Sequence, residues 1–565
     1  MTLPRVARCS LAALAVAFSG CASTTNSPAS DAGSDAPPGD AGTNACTMHT
    51  YREVSSPLRD GKSLAAFVRA PEDPSCKLPV VLVQTPYGKE NAKALWFESS
   101  SRQPLFESKD YAFVVVDMRG FFGSAAARTT SLTPAEDGYD TVEWVAAQPW
   151  SNGAVGTWGV SALGVQQYQT ASAAPPHLKA AVPIFCQPNS TYDLYYPGGV
   201  LRREYADFLS TYFGSAGAVL QYPYDGPAWT YAASLVKVSA MAVPMLVVAG
   251  WYDLNPKGSF GAFAQLAASS PAGGDARLLV GPWIHNATGG ETAQGRALDD
   301  EEKLYVDRDR KIQVDSLAFF DLHVRGVSAS PAASWAKVRF LGGGESSGEE
   351  SVSSWPPASQ ARTLYLTASG ALAEAAPTTG SLAFPYDPND PSPTLGGGTL
   401  LGPLHHGPTS QAPVLARADQ ASFASQPLTH PLRIAGTIAV TLDVSHTGVD
   451  TDVAVRLTDV DASGTHRVIG EGIRRLTLLA NARTPTPVPA GRRVTVPVPL
   501  MGDLAYTFAA GHRVGLIVSN ANYPRFDRNP NNGETFLVAS GPAPQRITTT
   551  LFTDGASRIV LPVRP

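Results

Sequence analysis

One stretch constrains this chain more than any other: Gly156-Thr157-Trp158-Gly159-Val160-Ser161-Ala162-Leu163-Gly164. Ala154 to Trp158 read as a short buried strand, and Val165 to Ala174 contain no helix breaker and read as a helix. A serine between small residues at a strand-to-helix joint has the requirements of a nucleophile elbow, a turn so tight that its hydroxyl projects beyond the sheet. The N-terminal N–H groups of the following helix would face any anion that forms beside Ser161. The usual elbow reads G-x-S-x-G; here Leu163 holds the last glycine place and the glycine follows at Gly164.

The surrounding chain agrees with a sheet of this kind. Strands and helices alternate from Leu78 onward, which predicts a mainly parallel α/β sheet. Leu78–Gln84 runs into Thr85-Pro86-Tyr87-Gly88-Lys89, and Tyr111–Val116 runs into Asp117-Met118-Arg119-Gly120. Thr133-Pro134-Ala135-Glu136 is a capping box with proline at the first helical position. After the strand Ala180–Phe185, residues 187–241 are rich in Tyr, Phe and Trp, too long for a simple crossover; they predict a small helical cap over the site.

A serine nucleophile needs a base, and the base needs an orienting acid, in the chain order Ser, acid, His. Within the α/β part only His177, His285 and His323 follow Ser161. His177 lies beyond the elbow helix at the expected surface. His323 falls in an amphipathic helix, Gln313–Arg325. His285 follows the strand Ala276–Val280 through a Gly281–Ile284 loop, at a strand's carboxyl end where ligands bind in open α/β sheets. Asp253 directly follows the strand Val243–Val248 in Ala249-Gly250-Trp251-Tyr252-Asp253 and is the expected acid. Asp117 precedes the serine, so it has the wrong order and is expected to brace its turn with Arg119. The expected oxyanion donors are the Ala162 backbone N–H and the Tyr87 phenol.

Beyond residue 335 short strands separated by Gly, Pro and Asp turns predict an all-β sandwich. The expected organisation is therefore 1–21 signal peptide, 22–46 disordered linker, 47–334 α/β-hydrolase domain with its cap, and 335–565 β-sandwich. Arg5 and Arg8 before the apolar run Leu11–Phe18 define the signal, and Ser19-Gly20-Cys21 resembles a bacterial lipoprotein box with Cys21 lipidated. The protein is thus expected outside the cytoplasm, in the periplasm or on the outer surface, with a lipid anchor at Cys21 as its one membrane attachment. A hairpin about Gly61 would bring Cys46 and Cys76 together as a disulfide, leaving Cys186 a buried thiol. A net charge of −5 over 565 residues gives no basic footprint for nucleic acid.

The segments TPYGK (85–89), DMRG (117–120), AEDGYDTVEWVAAQPWSNGAVGTWGVSALG (135–164), GWYD (250–253) and GPWIH (281–285) resemble the cocaine esterase and X-Pro dipeptidyl-peptidase family of serine hydrolases. So do YDPNDPSPTLGG (386–397), TDVAVRLTDV (451–460) and YPRFDRNPN (523–531), which resemble that family's C-terminal jelly roll. The resemblance implies an α/β-hydrolase with a short helical cap and a trailing jelly-roll sandwich, acting without metal or cofactor. It implies Ser161, Asp253 and His285 as the triad and Tyr87 as side-chain oxyanion donor, and its elbow, G-x-S-Y-x-G, accounts for Gly164. The family's aromatic residue after the serine is Ala162 here. The expected activity is hydrolysis of carboxylic esters, the substrate a small ester or a short peptide. Alternatives are X-Pro dipeptidyl cleavage, amino-acid ester or β-lactam acyl transfer, or an inert hydrolase carrying a carbohydrate-binding sandwich. Family amino-ester hydrolases hold the substrate ammonium with carboxylates. Glu204 and Asp207 are the candidates for that role, although their spacing reads first as a solvated helix face.

Overall fold

The computed structural model describes residues 46–98, 103–129, 133–214, 216–269, 271, 275–285, 308–345, 348–400, 404–538 and 540–565. The signal, Cys21 and the linker up to residue 45 lie outside them.

The catalytic half is one ten-stranded mixed sheet. Its strands are β1 (Arg52–Pro57), β2 (Ser63–Arg69), β3 (Leu78–Thr85), β4 (Ala112–Asp117), β5 (Ser151–Val160), β6 (Leu178–Ile184), β7 (Met245–Tyr252), β8 (Ala276–Ile284), β9 (Val338–Leu341) and β10 (Glu349–Val352). The spatial order is β1-β2-β4-β3-β5-β6-β7-β8-β9-β10, parallel from β4 through β9 with antiparallel strands at both edges. The central strands are apolar on both faces, as a sheet covered on both sides requires. Val80 and Leu82 point into one core with Val145 and Tyr168, from helices α1 (Pro134–Ala146) and α2 (Ala162–Ser172). Val81 and Val83 point into the other, with Phe319 and Phe320.

The capping box that starts α1 is present, with the Thr133 side chain and Glu136 bonded reciprocally. Cys46 and Cys76 are joined by a disulfide. The first strand of the hairpin about Gly61 runs Arg52–Pro57, and Met48 makes an isolated bridge to Pro71.

Between β6 and β7 the chain forms short helices, including α3 (Arg203–Phe213), so the cap is helical as expected. Beyond the helices Pro256–Ser269 and Arg308–His323 the chain is mainly β, in a second ten-stranded sheet and a four-stranded sheet besides the last strands of the first. Residue 335 is not a clean seam between the halves. β9 and β10 lie beyond it yet complete the catalytic sheet, while Gly343–Gly344 between them pairs with Leu504–Phe508 of the all-β domain. Short strands lacking helical periodicity carry no mark of which sheet they will join.

Candidate active site

Three side chains meet because three strands end at matched heights. Ser161 immediately follows β5, Asp253 follows β7, and His285 follows β8. Tyr252 pairs with Ile284 across β7 and β8, which sets Asp253 and His285 side by side. The predicted loop Gly281–Ile284 is in fact the end of β8. An irregularity in register between Gly250 and Tyr252 accompanies it, and a Cβ on Gly250 would come within 2.3 Å of the Trp283 carbonyl. The glycine of that motif therefore exists to let two strands close up.

His285 Nε2 lies 3.1 Å from Ser161 Oγ, and His285 Nδ1 lies 2.6 Å from Asp253 Oδ1. The other carboxylate oxygen of Asp253 accepts the Asn255 N–H at 3.1 Å. Asp253 and His285 are 1% and 8% exposed, so the ion pair that forms when the imidazole takes a proton is shielded from water. Ser161 is held at φ 60°, ψ −123°, a conformation unusual for a residue with a side chain and the mark of an elbow. Its N–H is anchored to the Ile184 carbonyl at 2.9 Å, on the neighbouring strand.

The displaced glycine has a local cause. A Cβ at Gly164 would stand 2.4 Å from the sulfur of Cys186, so the first turn of α2 packs directly on the chain leaving β6. Cys186 is the buried free thiol expected, and burial pushes its pKa up.

The Tyr87 hydroxyl is within hydrogen-bonding reach of both the Ser161 side chain and the Ala162 backbone N–H. Burial raises its pKa, so the phenol keeps its proton and remains a donor. The loop that carries Tyr87 is fixed by Asp117, which accepts the N–H groups of Lys89 at 2.6 Å and Gly123 at 3.0 Å. Asp117 thus braces the loops after β3 and β4 without Arg119, which instead pairs with Asp137 at 2.8 Å and Asp60 at 2.9 Å.

The other histidines of the catalytic half stand apart. His177 is exposed and pairs with Glu143 at 2.7 Å; His323 packs against Phe319 with the two rings tilted by 57°. Asp207 is exposed and pairs with Arg203. Glu204, however, is 1% exposed and accepts the Leu400 N–H at 3.2 Å, so the solvated helix face expected for it is wrong. Its carboxylate also feels the positive charges of Arg525 and Arg202, both fully buried. Helical spacing could not reveal this burial, because the covering atoms come from the all-β domain nearly 200 residues later. Arg525, in turn, pairs with Glu471 at 3.0 Å. A Cβ at Gly398 would come within 2.3 Å of the Asp253 carbonyl oxygen, placing an all-β loop directly behind the acid.

Aromatic rings cluster beside Tyr87. Phe213 of α3 stands 6.2 Å from the Tyr87 ring, 6.1 Å from Phe121 and 6.0 Å from Phe208. Tyr205 and Tyr195 stack beyond them at 5.5 Å.

Residues 60–221 and 216–287 match the X-Pro dipeptidyl-peptidase (S15 family) model, and residues 327–558 match the X-Pro dipeptidyl-peptidase C-terminal non-catalytic domain. Cocaine esterase of Rhodococcus sp. (strain MB1 Bresler) is 31% identical over 545 residues, covering 85% of this chain and 92% of that protein. The chain belongs to this serine hydrolase family. Among solved structures, the hydrolase superposes on an aminopeptidase from a marine sediment Thaumarchaeota archaeon with a TM-score of 0.77 at 23% identity, over 94% of this chain and 99% of that one. An α-amino acid ester hydrolase gives 0.76 at 23% identity, over 94% and 98%. At that identity these two establish the fold, an α/β-hydrolase domain followed by an all-β domain, and not the substrate of this hydrolase.

Proposed function

We propose that this chain is an exported esterase in which Ser161 is the nucleophile, His285 the general base and acid, Asp253 its orienting group, and Tyr87 with Ala162 the oxyanion hole. The observation that carries the reading is the continuous path Asp253–His285–Ser161 at 2.6 and 3.1 Å, with the Tyr87 hydroxyl against Ser161 and Ala162. Ser161 Oγ attacks the ester carbonyl carbon while its proton passes to His285 Nε2. The carbonyl π electrons move onto oxygen, which takes hydrogen bonds from the Tyr87 phenol and the Ala162 N–H. Collapse of that intermediate expels the alcohol, which receives the proton from His285. Water, deprotonated by the same imidazole, attacks the acyl-serine; the acyl–Oγ bond breaks, Ser161 Oγ takes the proton back from His285, and the acid is released. Asp253 holds Nδ1 protonated throughout and stabilises the imidazolium.

An ester is favoured over an α-amino substrate by the burial of Glu204, whose carboxylate accepts the Leu400 N–H beneath the all-β domain rather than standing open to an ammonium group. The aromatic wall at Tyr87, Phe121, Phe208 and Phe213 suits an apolar substrate, and Ala162 in place of an aromatic ring leaves room beside the nucleophile. The name cocaine esterase, borne by the Rhodococcus relative, points the same way. Steady-state turnover of benzoate esters, amino-acid esters and X-Pro anilides tests the choice. Benzoate esters should be cleaved best by kcat/KM; preference for the X-Pro anilide would overturn the reading. Export rests on the signal pattern and is supported by the Cys46–Cys76 disulfide, a bond of oxidising compartments. A mature N-terminus at Cys21 carrying lipid, read by mass spectrometry, is the expected form.

A further inference from the structure

Gln187 stands where β6 hands the chain on to the cap and plays no part in the scheme above, yet it reaches the catalytic acid through one intermediate. Asp253 Oδ1 faces His285, and Oδ2 accepts the Asn255 N–H, its one hydrogen bond among the described residues. Whatever holds Asn255 in place therefore holds the acid. Asn255 is buried, and its carbonyl accepts the N–H groups of Gly258 at 3.2 Å and Ser259 at 3.5 Å, in the first turn of the helix Pro256–Ser269. Its side-chain Nδ2 donates to Gln187 Oε1 at 2.6 Å. The carbonyl contacts are local backbone; the Gln187 contact comes from the end of another strand.

Gln187 is held in turn by the root of the cap. Its Nε2 donates to the Asn189 carbonyl and, at 3.3 Å, to Thr191 Oγ1. A carbonyl oxygen only accepts, so this contact determines which way the Gln187 amide faces and leaves Oε1 toward Asn255. Thr191 Oγ1 caps the short helix Tyr192–Tyr195 by accepting the Leu194 N–H at 3.3 Å. Asn189 clips the two limbs of the cap together: Nδ2 donates to the Val236 carbonyl and Oδ1 accepts the Val236 N–H, both at 2.8 Å. The amide pair has no slack. A Cβ on Gly258 would collide with both Asn255 Nδ2 and Gln187 Oε1, so the helix passes directly over their bond. Ser259 Oγ, donating to the Cys186 carbonyl at 3.0 Å, pins the same helix to the residue before Gln187.

We propose that Gln187 is a positioning residue for the catalytic acid: by holding the Asn255 side chain it fixes the N–H that aligns Asp253 with His285, and it ties that alignment to the root of the cap. The inference rests on the Ser161–His285–Asp253 reading. A carboxylate free to turn stabilises the imidazolium less well, and misplacing a catalytic group costs rate rather than binding.

The test is kcat and KM for 4-nitrophenyl benzoate in Gln187→Leu, made both in the unaltered enzyme and in Asp253→Ala. One lost hydrogen bond corresponds to about tenfold in rate. With Asp253 present, Gln187→Leu should lower kcat about tenfold and leave KM within about twofold. In Asp253→Ala there is no carboxylate to align, so the same substitution should change kcat by less than about twofold. Asn255→Ala removes the bond from its other end and should match Gln187→Leu, and the two combined should lose no more than either alone. Thermal melting of every variant checks that folded enzyme is compared; should Gln187→Leu fail to fold, Asn255→Ala carries the same comparison. An unaltered kcat in Gln187→Leu, or a rise in KM in its place, overturns the proposal. So does an equal loss with and without Asp253, the result that a purely structural role or a role in the cap alone would give. Failure of the triad reading looks different: Asp253→Ala keeps its activity with Gln187 untouched.

Discussion

At the scale of single residues, the site depends on atoms that are absent as much as on those present. Tyr87 contributes one hydroxyl to the oxyanion, and removing one such donor costs about 10²–10³ in rate. Tyr87→Phe should therefore lower kcat by about that factor with KM little changed, because the lost bond matters most once charge has formed on the oxygen. Gly164 contributes only the lack of a Cβ. Gly164→Ala forces a methyl group to 2.4 Å from the Cys186 sulfur and should destabilise by about 1–3 kcal/mol in urea unfolding. Adding Cys186→Ala removes that sulfur, so the double variant should lose less than the sum of the two single losses. The shifted elbow glycine was visible in the sequence as a departure from G-x-S-x-G. Its physical cause was not, because the thiol it accommodates lies after another strand.

At the scale of elements, the strand ends fix the chemistry. β5, β7 and β8 were recognisable from apolar runs, and their order in the chain was enough to select Ser161, Asp253 and His285. The strand limits were read short: β8 continues through Gly281–Ile284, because glycine and proline imitate a turn in sequence while the paired strand β7 holds them extended. The connection of Asp117 was also hidden, since its partners Lys89 and Gly123 are backbone N–H groups, and sequence cannot say which carboxylate will take them. Asp117→Ala strands both donors, at about 1–3 kcal/mol for each that stays dry. It should lower both the melting temperature and kcat by loosening the Tyr87 loop. Thr133→Ala, which removes the α1 cap on the protein's surface, should cost about 1 kcal/mol and leave kcat unchanged. Measured together, the pair separates a loop that positions the oxyanion donor from a helix that only supports the sheet.

At the scale of the whole molecule, the two halves share one site. The all-β domain was legible from its spaced strands, but its packing behind Asp253 and against the cap was not. Arg525, Glu471 and Gly398 reach the back of Asp253, and Leu400 reaches Glu204 on the cap, through contacts between residues far apart in sequence. The N-terminal disulfide acts differently, on the unfolded chain. It spans 30 residues, so replacing both Cys46 and Cys76 by serine should cost about 3–4 kcal/mol of stability while leaving kcat intact. The central claim is that Ser161 is a nucleophile activated by His285. Intact-protein mass spectrometry after treatment with a fluorophosphonate measures this most directly. A single adduct that maps to Ser161, is lost in Ser161→Ala and forms far more slowly in His285→Ala is the predicted result. An unlabelled protein, or a Ser161→Ala variant labelled as fast as the unaltered chain, would contradict it.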